Sequence, residues 1–546
     1  MSAETTAAVA EGAAPAGIFD AIIVGAGFSG LYQLHQLRDK LGLSVLVLET
    51  ADDVGGTWYW NRYPGARCDS ESYYYSYSFS KELQEEWYWT ERYPEHSEIR
   101  RYLSHVADRF DLRRDIRFNT RVETARYDEA GNRWIIATGS GETFAAQFFI
   151  TAVGCLSSAN VPKIPGLDRF KGEWHHTGRW PHEGVDFAGK RVGLIGTGST
   201  GIQAAPVLAE QALHLTVFQR TANYSVPARN GKLTEEFQEE VRANYDAIRD
   251  KARASINGHP FDISEQSALE VSPEERLARY EAAWEFGGLR FRAAFSDLLR
   301  DKAANDTASE FLRAKIRAIV KDPATAEKLV PKDHPFATKR PPIDSGYFET
   351  FNRDNVALVD LKATPIVEIT EDGIRTSDAD YPLDVIVFAT GFDALTGPLL
   401  AMDIRGRNGR SLREDWAAGP RTYLGLQTAG YPNMFTITGP GSPSVLTNMP
   451  VAIEQHTQWI TECIAHLRAN GLTRIETTAD AAEKWVEHVN EAAHATLLPL
   501  ANSSWYLGAN IPGKPRVFMP YAGGMARYAD ICAKVAKENY KGFVVS

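Results

Sequence analysis

Two short apolar runs near the start of the chain, residues 21–24 and 45–48, carry no polar interruption. Strands buried on both faces of a parallel sheet read this way, whereas half-exposed strands alternate. The pair recurs downstream at 192–195 and 215–218, and in each case glycines and a helix-compatible stretch lie between the two runs. Residues 18–50 and 191–220 therefore predict two strand–turn–helix–strand units. Helical spacing predicts an amphipathic helix over 98–110, and strands are predicted at 116–128, 134–138 and 148–153. Residues 226–332 have a different texture, dense in charge with helical apolar spacing. Ser272-Pro273-Glu274-Glu275 and Thr307-Ala308-Ser309-Glu310 read as capping boxes, and Asp322-Pro323 as another helix start. The segment predicts an all-helical insertion. Strands follow at 356–359 and 365–368, then a strand from Asp384 runs into a turn near Gly391. The predicted fold class is α/β, with two Rossmann-like dinucleotide-binding domains and that insertion.

The glycines give the two units their chemistry. Gly25-x-Gly27-x-x-Gly30 follows the first strand, and Gly196-x-Gly198-x-x-Gly201 follows its counterpart. In each, the first glycine permits a tight turn, the second lets backbone approach a pyrophosphate, and the third lets helix pack on strand. Anions are favoured at the helix N-terminus, which places Ser29 in the first site and Thr197, Ser199, Thr200 and Gln203 in the second. From the last glycine to the end of the second strand is 19 positions in both copies, 30 to 49 and 201 to 220. The copies end in opposite charges. Glu49 suits a free ribose diol, hence FAD or NAD. Arg220, followed by Thr221, suits the 2′-phosphate of NADP; as a bare strand-end arginine it would only be solvated. Two dinucleotide sites without a metal motif imply electron transfer from NADPH to a flavin.

Composition narrows the class. At 546 residues the chain needs two to four domains. A net charge of -11 argues against general nucleic-acid binding, so phosphate recognition must be local. Cys68, Cys155, Cys463 and Cys532 are scattered, which disfavours a disulfide framework, a zinc site and a dithiol reductase and fits a cytoplasmic setting. Residues 1–17, rich in alanine, read as a disordered tail, and no run approaches the roughly 18 apolar residues that span a bilayer.

Between the two fingerprints stands Phe170-x-Gly172-x-x-x-His176-x-x-x-Trp180-Pro181. In that position it resembles the signature of the Baeyer–Villiger monooxygenases, and the likeness extends over nearly the whole chain, most closely in the phenylacetone and steroid monooxygenase branch. The resemblance implies an FAD- and NADPH-dependent enzyme that converts ketones to esters or lactones with O2, through a peroxide at flavin C4a. It implies that Phe170, Gly172, His176 and Trp180 form a linker coupling NADPH binding to domain motion. A general-base role for His176 is the competing reading. Rival classes are an N- or S-oxygenating flavin monooxygenase, whose related signature lacks the Trp-Pro, and a non-catalytic flavin electron carrier.

The resemblance also assigns residues. Gly55-Gly56-Thr57-Trp58 leads to Asp69, which in the family lies near the flavin and orients an arginine; taken alone, Asp69 is as well read as a cap. Gly56, Thr57, Trp58, Tyr75, Val122 and Met449 join the implied FAD contacts. Lys339-Arg340, otherwise a surface loop before Pro341-Pro342, becomes a 2′-phosphate ligand and the catalytic arginine. The loop at 441–449 implies a pocket lined by Ser444, Val445 and Leu446, roomy enough for bulky ketones, and Trp505 implies a mobile loop touching the nicotinamide cofactor. The expected division is an FAD part at 18–155, an NADP part at 156–225, the insertion at 226–332, the NADP return at 333–384 and the FAD return at 385–546, in a monomer.

Overall fold

The computed structural model describes residues 15–546, so most of the expected N-terminal tail lies outside the described residues. Six strands build the first sheet from the chain's first part: β1 (Ile18–Val24), β2 (Val45–Leu48), β3 (Ile116–Arg117), β4 (Val122–Asp128), β5 (Arg133–Thr138) and β6 (Thr143–Thr151). β1 lies between β2 and β6, parallel to both, with Ala21 opposite Val45 and Phe148. Its last four residues are buried on both faces, Ala21 and Ile23 in one apolar cluster and Ile22 and Val24 in another, which is why they are all apolar. The predicted strand over 116–128 is two strands, broken where Asn119 takes a φ of 53°.

The second sheet begins inside the signature. β7 (Glu173–His176), β8 (Arg191–Ile195) and β9 (His214–Gln219) come first. Part of the segment read as a linker is thus an edge strand, a role that its mostly polar sequence conceals. The insertion follows, largely helical as predicted but not wholly so. Its neck is closed by β10 (Val226–Pro227) paired with β11 (Ile343–Asp344). Ser272 and Asp322 cap helices, accepting from Glu275 N–H and Thr325 N–H. Thr307–Glu310, read as a capping box, instead lies in the middle of the helix Lys302–Ile319. That helix starts at Asp301, whose carboxylate accepts from Ala304 N–H at 2.8 Å. Thr307 satisfies its hydroxyl on the carbonyl of Ala304, and the apolar face carries straight through.

β12 (Val356–Asp360), at the predicted position, joins the second sheet by pairing with β9. The next strand does not join that sheet. β13 (Ile366–Thr370), β14 (Gly373–Thr376) and β15 (Asp380–Pro382) form a small antiparallel sheet of their own. β16 (Val385–Phe388) returns to the second sheet between β8 and β7, giving the order β12-β9-β8-β16-β7. The crossover back to the first sheet therefore comes after residue 388, not at 385. β17 (Asp403–Arg405) and β18 (Met434–Thr436) complete the first sheet by pairing with β4 and β6. Among the described residues no helix is long and apolar enough to cross a membrane.

Candidate active site at the junction of the two nucleotide folds

Both glycine turns have the geometry that their spacing predicts. Gly25 and Gly196 adopt φ of 104° and 113°, where a side chain is strained. A Cβ on Gly30 would lie 1.8 Å from the Gly25 carbonyl oxygen, and one on Gly201 would lie 2.1 Å from that of Gly196, so each helix rests directly on its strand. Neither helix, Phe28–His35 or Ser199–Gln211, has a side-chain cap, which leaves first-turn N–H groups for an anion. Beside the first turn, Gly27 and Gly56 approach so closely that a Cβ on Gly56 would fall 2.9 Å from the Gly27 Cα. Beyond Gly198 there is open space. These cradles fit two dinucleotides.

The strand ends differ as the sequence predicts. Glu49 is buried, and its carboxylate accepts from Ala26 N–H at 2.6 Å and Ala51 N–H at 2.8 Å. Burial raises its pKa against those bonds. Arg220 is exposed. Lys339 comes up beside it from a distant part of the chain: burial lowers the Lys339 pKa to about 8, and the Arg220 charge contributes to the shift. Thr197 ties its turn to the end of β9 by donating to the Thr221 carbonyl at 2.8 Å. Gln203 reaches across instead, accepting from the Tyr63 hydroxyl at 2.7 Å and donating to the Arg67 carbonyl at 3.2 Å. It locks the second fold onto the loop that carries Asp69.

Asp69 and Arg340, 271 positions apart, form a bidentate pair. Nη2 donates to Oδ1 at 2.8 Å and Nε donates to Oδ2, while Nη1 donates to the Val445 carbonyl at 3.0 Å. Burial opposes the Arg340 charge, but the Asp69 carboxylate outweighs it and holds the guanidinium pKa above its ordinary value. The side chain remains 22% exposed, so it is not sealed off. A permanently charged fork is thereby fixed in one orientation where the two nucleotide folds and the 441–449 loop meet.

A family model described as flavin-binding monooxygenase-like matches residues 20–231. A Baeyer–Villiger monooxygenase of Pseudooceanicola batsensis is 46% identical over 96% of both chains. The chain belongs to the Baeyer–Villiger monooxygenase family. A solved steroid monooxygenase bound to NADP is 56% identical, with a TM-score of 0.92 over 97% of this chain and 99% of that one. The phenazine N-monooxygenase PhzNO1 of Lysobacter antibioticus is 46% identical over 96% of this chain and 97% of its own.

In this Baeyer–Villiger monooxygenase the remaining predicted residues fall into three groups. Thr57, Trp58 and Tyr75 lie beside the first turn, where the Trp58 indole donates to the Tyr75 hydroxyl at 3.2 Å. Val122 packs with Val24 and Leu48, while Met449 packs at the border of two apolar clusters. Val445, Leu446 and Trp505 share an apolar cluster with Tyr506, but Ser444 turns inward, its hydroxyl on Cys155 Sγ at 3.0 Å. The signature residues serve the second sheet. A Cβ on Gly172 would lie 2.4 Å from the Asp384 carbonyl oxygen. Phe170 packs against the cluster under β13–β15, and Trp180 is buried. His176 Nδ1 accepts from Gly178 N–H at 3.0 Å, and burial lowers its pKa to about 4. The imidazole is thus neutral at working pH and bonded to the backbone of the turn that follows β7.

The sequence reading missed Arg292, His259 and Tyr506, which face Arg340. They come from the insertion and the C-terminal loop, and no short motif links them to residue 340.

Proposed function

We propose that this monooxygenase converts bulky cyclic, aryl or steroid-like ketones to esters or lactones, with Arg340 as the catalytic cation. The Arg340–Asp69 pair at the meeting point of the two nucleotide folds carries the reading. When bound, FAD supplies the oxygen-activating centre and NADPH the hydride. Insertion of oxygen beside a carbonyl requires a nucleophilic, negatively charged oxygen and creates negative charge on the carbonyl oxygen. Both are costly in a partly dry site unless a cation is close. Arg340 supplies a charge that cannot be lost at working pH, and Asp69 holds its fork in place. Glu49 takes the ribose diol of the flavin nucleotide, and Arg220 with Lys339 takes the 2′-phosphate. The helix N-termini at Gly27 and Gly198 receive the pyrophosphates. Val445 and Leu446 wall the substrate side, and Trp505 touches the nicotinamide cofactor. The protein works as a cytoplasmic monomer.

The similarity to a phenazine N-monooxygenase makes N-oxygenation the reading to separate by experiment. Purified flavin-loaded protein is given NADPH, air and, in turn, ketones of graded size, a thioether and an aromatic amine, with products identified. Ester or lactone as the main product, rising in yield toward the bulkier ketones, is expected. N-oxide or sulfoxide alone would overturn the assignment.

A further inference from the structure

Residues 74–77 are buried, and residues 75–77 lie in neither helix nor strand. Buried carbonyls outside regular structure must find their donors elsewhere. Here an arginine of the insertion supplies them. Arg249, on the helix Tyr245–Ala254, is only 4% exposed. Its Nη1 donates to the carbonyls of Tyr74 at 3.1 Å and Ser76 at 3.3 Å. Its Nη2 donates to the Ser76 hydroxyl at 2.7 Å and the Tyr77 carbonyl at 3.5 Å, and its Nε donates to Gln84 Oε1 at 3.2 Å. A planar fork of fixed donors can gather several acceptors at once, which an ammonium on a flexible stem does less well.

The strap held in this way presents two tyrosines to the first glycine turn. The Tyr77 hydroxyl donates to the Phe28 carbonyl at 2.6 Å, at the first residue of the helix that follows Gly27. The Tyr75 hydroxyl accepts from the Trp58 indole, and the Phe28 ring lies 5.5 Å from the ring of Tyr75 and 5.0 Å from that of Tyr77. A second element grips the same strap. Asn448, at the start of the helix Met449–Ala469, donates from Nδ2 to the Tyr74 carbonyl at 3.0 Å, and Glu454 in that helix accepts from Ser78 N–H at 2.6 Å. That helix follows directly on the segment that carries Val445 and Leu446. The insertion and the end of the 441–449 loop therefore meet on one carbonyl, that of Tyr74.

We propose that Arg249 is a positioning residue of the flavin site: by fixing the carbonyls of residues 74–77 it sets Tyr75 and Tyr77 against the first glycine turn, so that the insertion braces the FAD fold from outside it. Arg249 itself touches neither the turn nor Trp58; it acts through the two tyrosines. The inference stands on the flavin site and is independent of which substrate the enzyme oxygenates.

The test follows release of FAD from the purified holoenzyme, as the rise of flavin fluorescence on dilution, together with the visible circular dichroism of the bound flavin, which reports the surroundings of its ring. Arg249→Met should release FAD at least about fivefold faster than the parent, the size expected for the loss of hydrogen bonds of this kind, and its flavin bands should change. Phe311→Leu, a core substitution in the same insertion whose ring packs on Tyr280 and Phe291 rather than on the strap, is the control. It should lower thermal stability and leave both flavin readouts as in the parent. A smaller acceleration in Arg249→Met, unaltered flavin bands, or the same changes in Phe311→Leu overturns the assignment. Should Arg249→Met fail to fold, Ser76→Ala decides, since it removes the shortest of the arginine's bonds and leaves the others. Release at least about threefold faster supports the brace, and a smaller change contradicts it. No readout uses a ketone, so failure of the ketone reading would leave the result standing.

Discussion

The two nucleotide folds share a backbone plan and differ at one strand end. Both turn at a glycine with φ above 100°, both lay a helix directly on the first strand, and both leave the helix start without a side-chain cap. At the end of the second strand the first fold buries Glu49 against backbone N–H groups. The second exposes Arg220 and borrows Lys339 from beyond the insertion. On the proposed reading, backbone geometry would supply pyrophosphate binding in both, and the side chain at the strand end would select the nucleotide. The acidic end is built into its fold. The basic end is assembled from two parts of the chain.

The largest effect is expected where the difference is buried. Glu49→Arg would place an unpaired cation against Ala26 and Ala51, a cost of about 3–5 kcal/mol. The flavin-loaded yield should fall by about two orders of magnitude, measured by the ratio of flavin to protein absorbance; a normal flavin content would show that Glu49 does not define the first site. At the exposed end, Arg220→Ala should lower the preference for NADPH over NADH by about tenfold or more, read from KM for each. Equal effects on both cofactors would remove Arg220 from the 2′-phosphate. A smaller effect follows from Lys339, whose pKa near 8 means that its ammonium is present below that pH and lost above it. KM for NADPH should rise a few-fold between about pH 8 and pH 9, and Lys339→Arg should flatten the rise, since arginine keeps its charge. The smallest change in folding is expected from Gly198→Ala. Its φ is -80° and a Cβ there meets nothing. Thermal stability without cofactor should hold within about 1 kcal/mol, while NADPH binding weakens because the methyl occupies the pyrophosphate cradle.

Local order along the chain explains which features the sequence revealed. The two turns, Glu49, Arg220 and the strands around them were legible because each unit is contiguous and its apolar runs reflect a sheet covered on both faces. The Arg340–Asp69 pair was reached only by family likeness, since nothing in the spacing of two residues 271 positions apart predicts their contact. Polar edge strands escaped for the opposite reason: Glu173–His176 pairs through backbone at the side of a sheet and needs no apolar pattern. The strand at 366–370 has the right composition for the second sheet, yet it pairs with its sequence neighbours in a hairpin-like sheet. Thr307–Glu310 shows the limit of a short motif, because a capping sequence inside a longer apolar face is overridden by the packing of that face.

The central claim is that the fork held by Asp69 acts on the oxygen-transfer step and not on the delivery of reducing equivalents. Parent enzyme and Arg340→Met should be mixed with NADPH anaerobically while flavin absorbance is followed, then turned over with ketone in air while ester is quantified. The account predicts that the variant is still reduced by NADPH while its ester formation falls by about two to three orders of magnitude. Ester formation at the parent rate in a fully loaded Arg340→Met enzyme would contradict it.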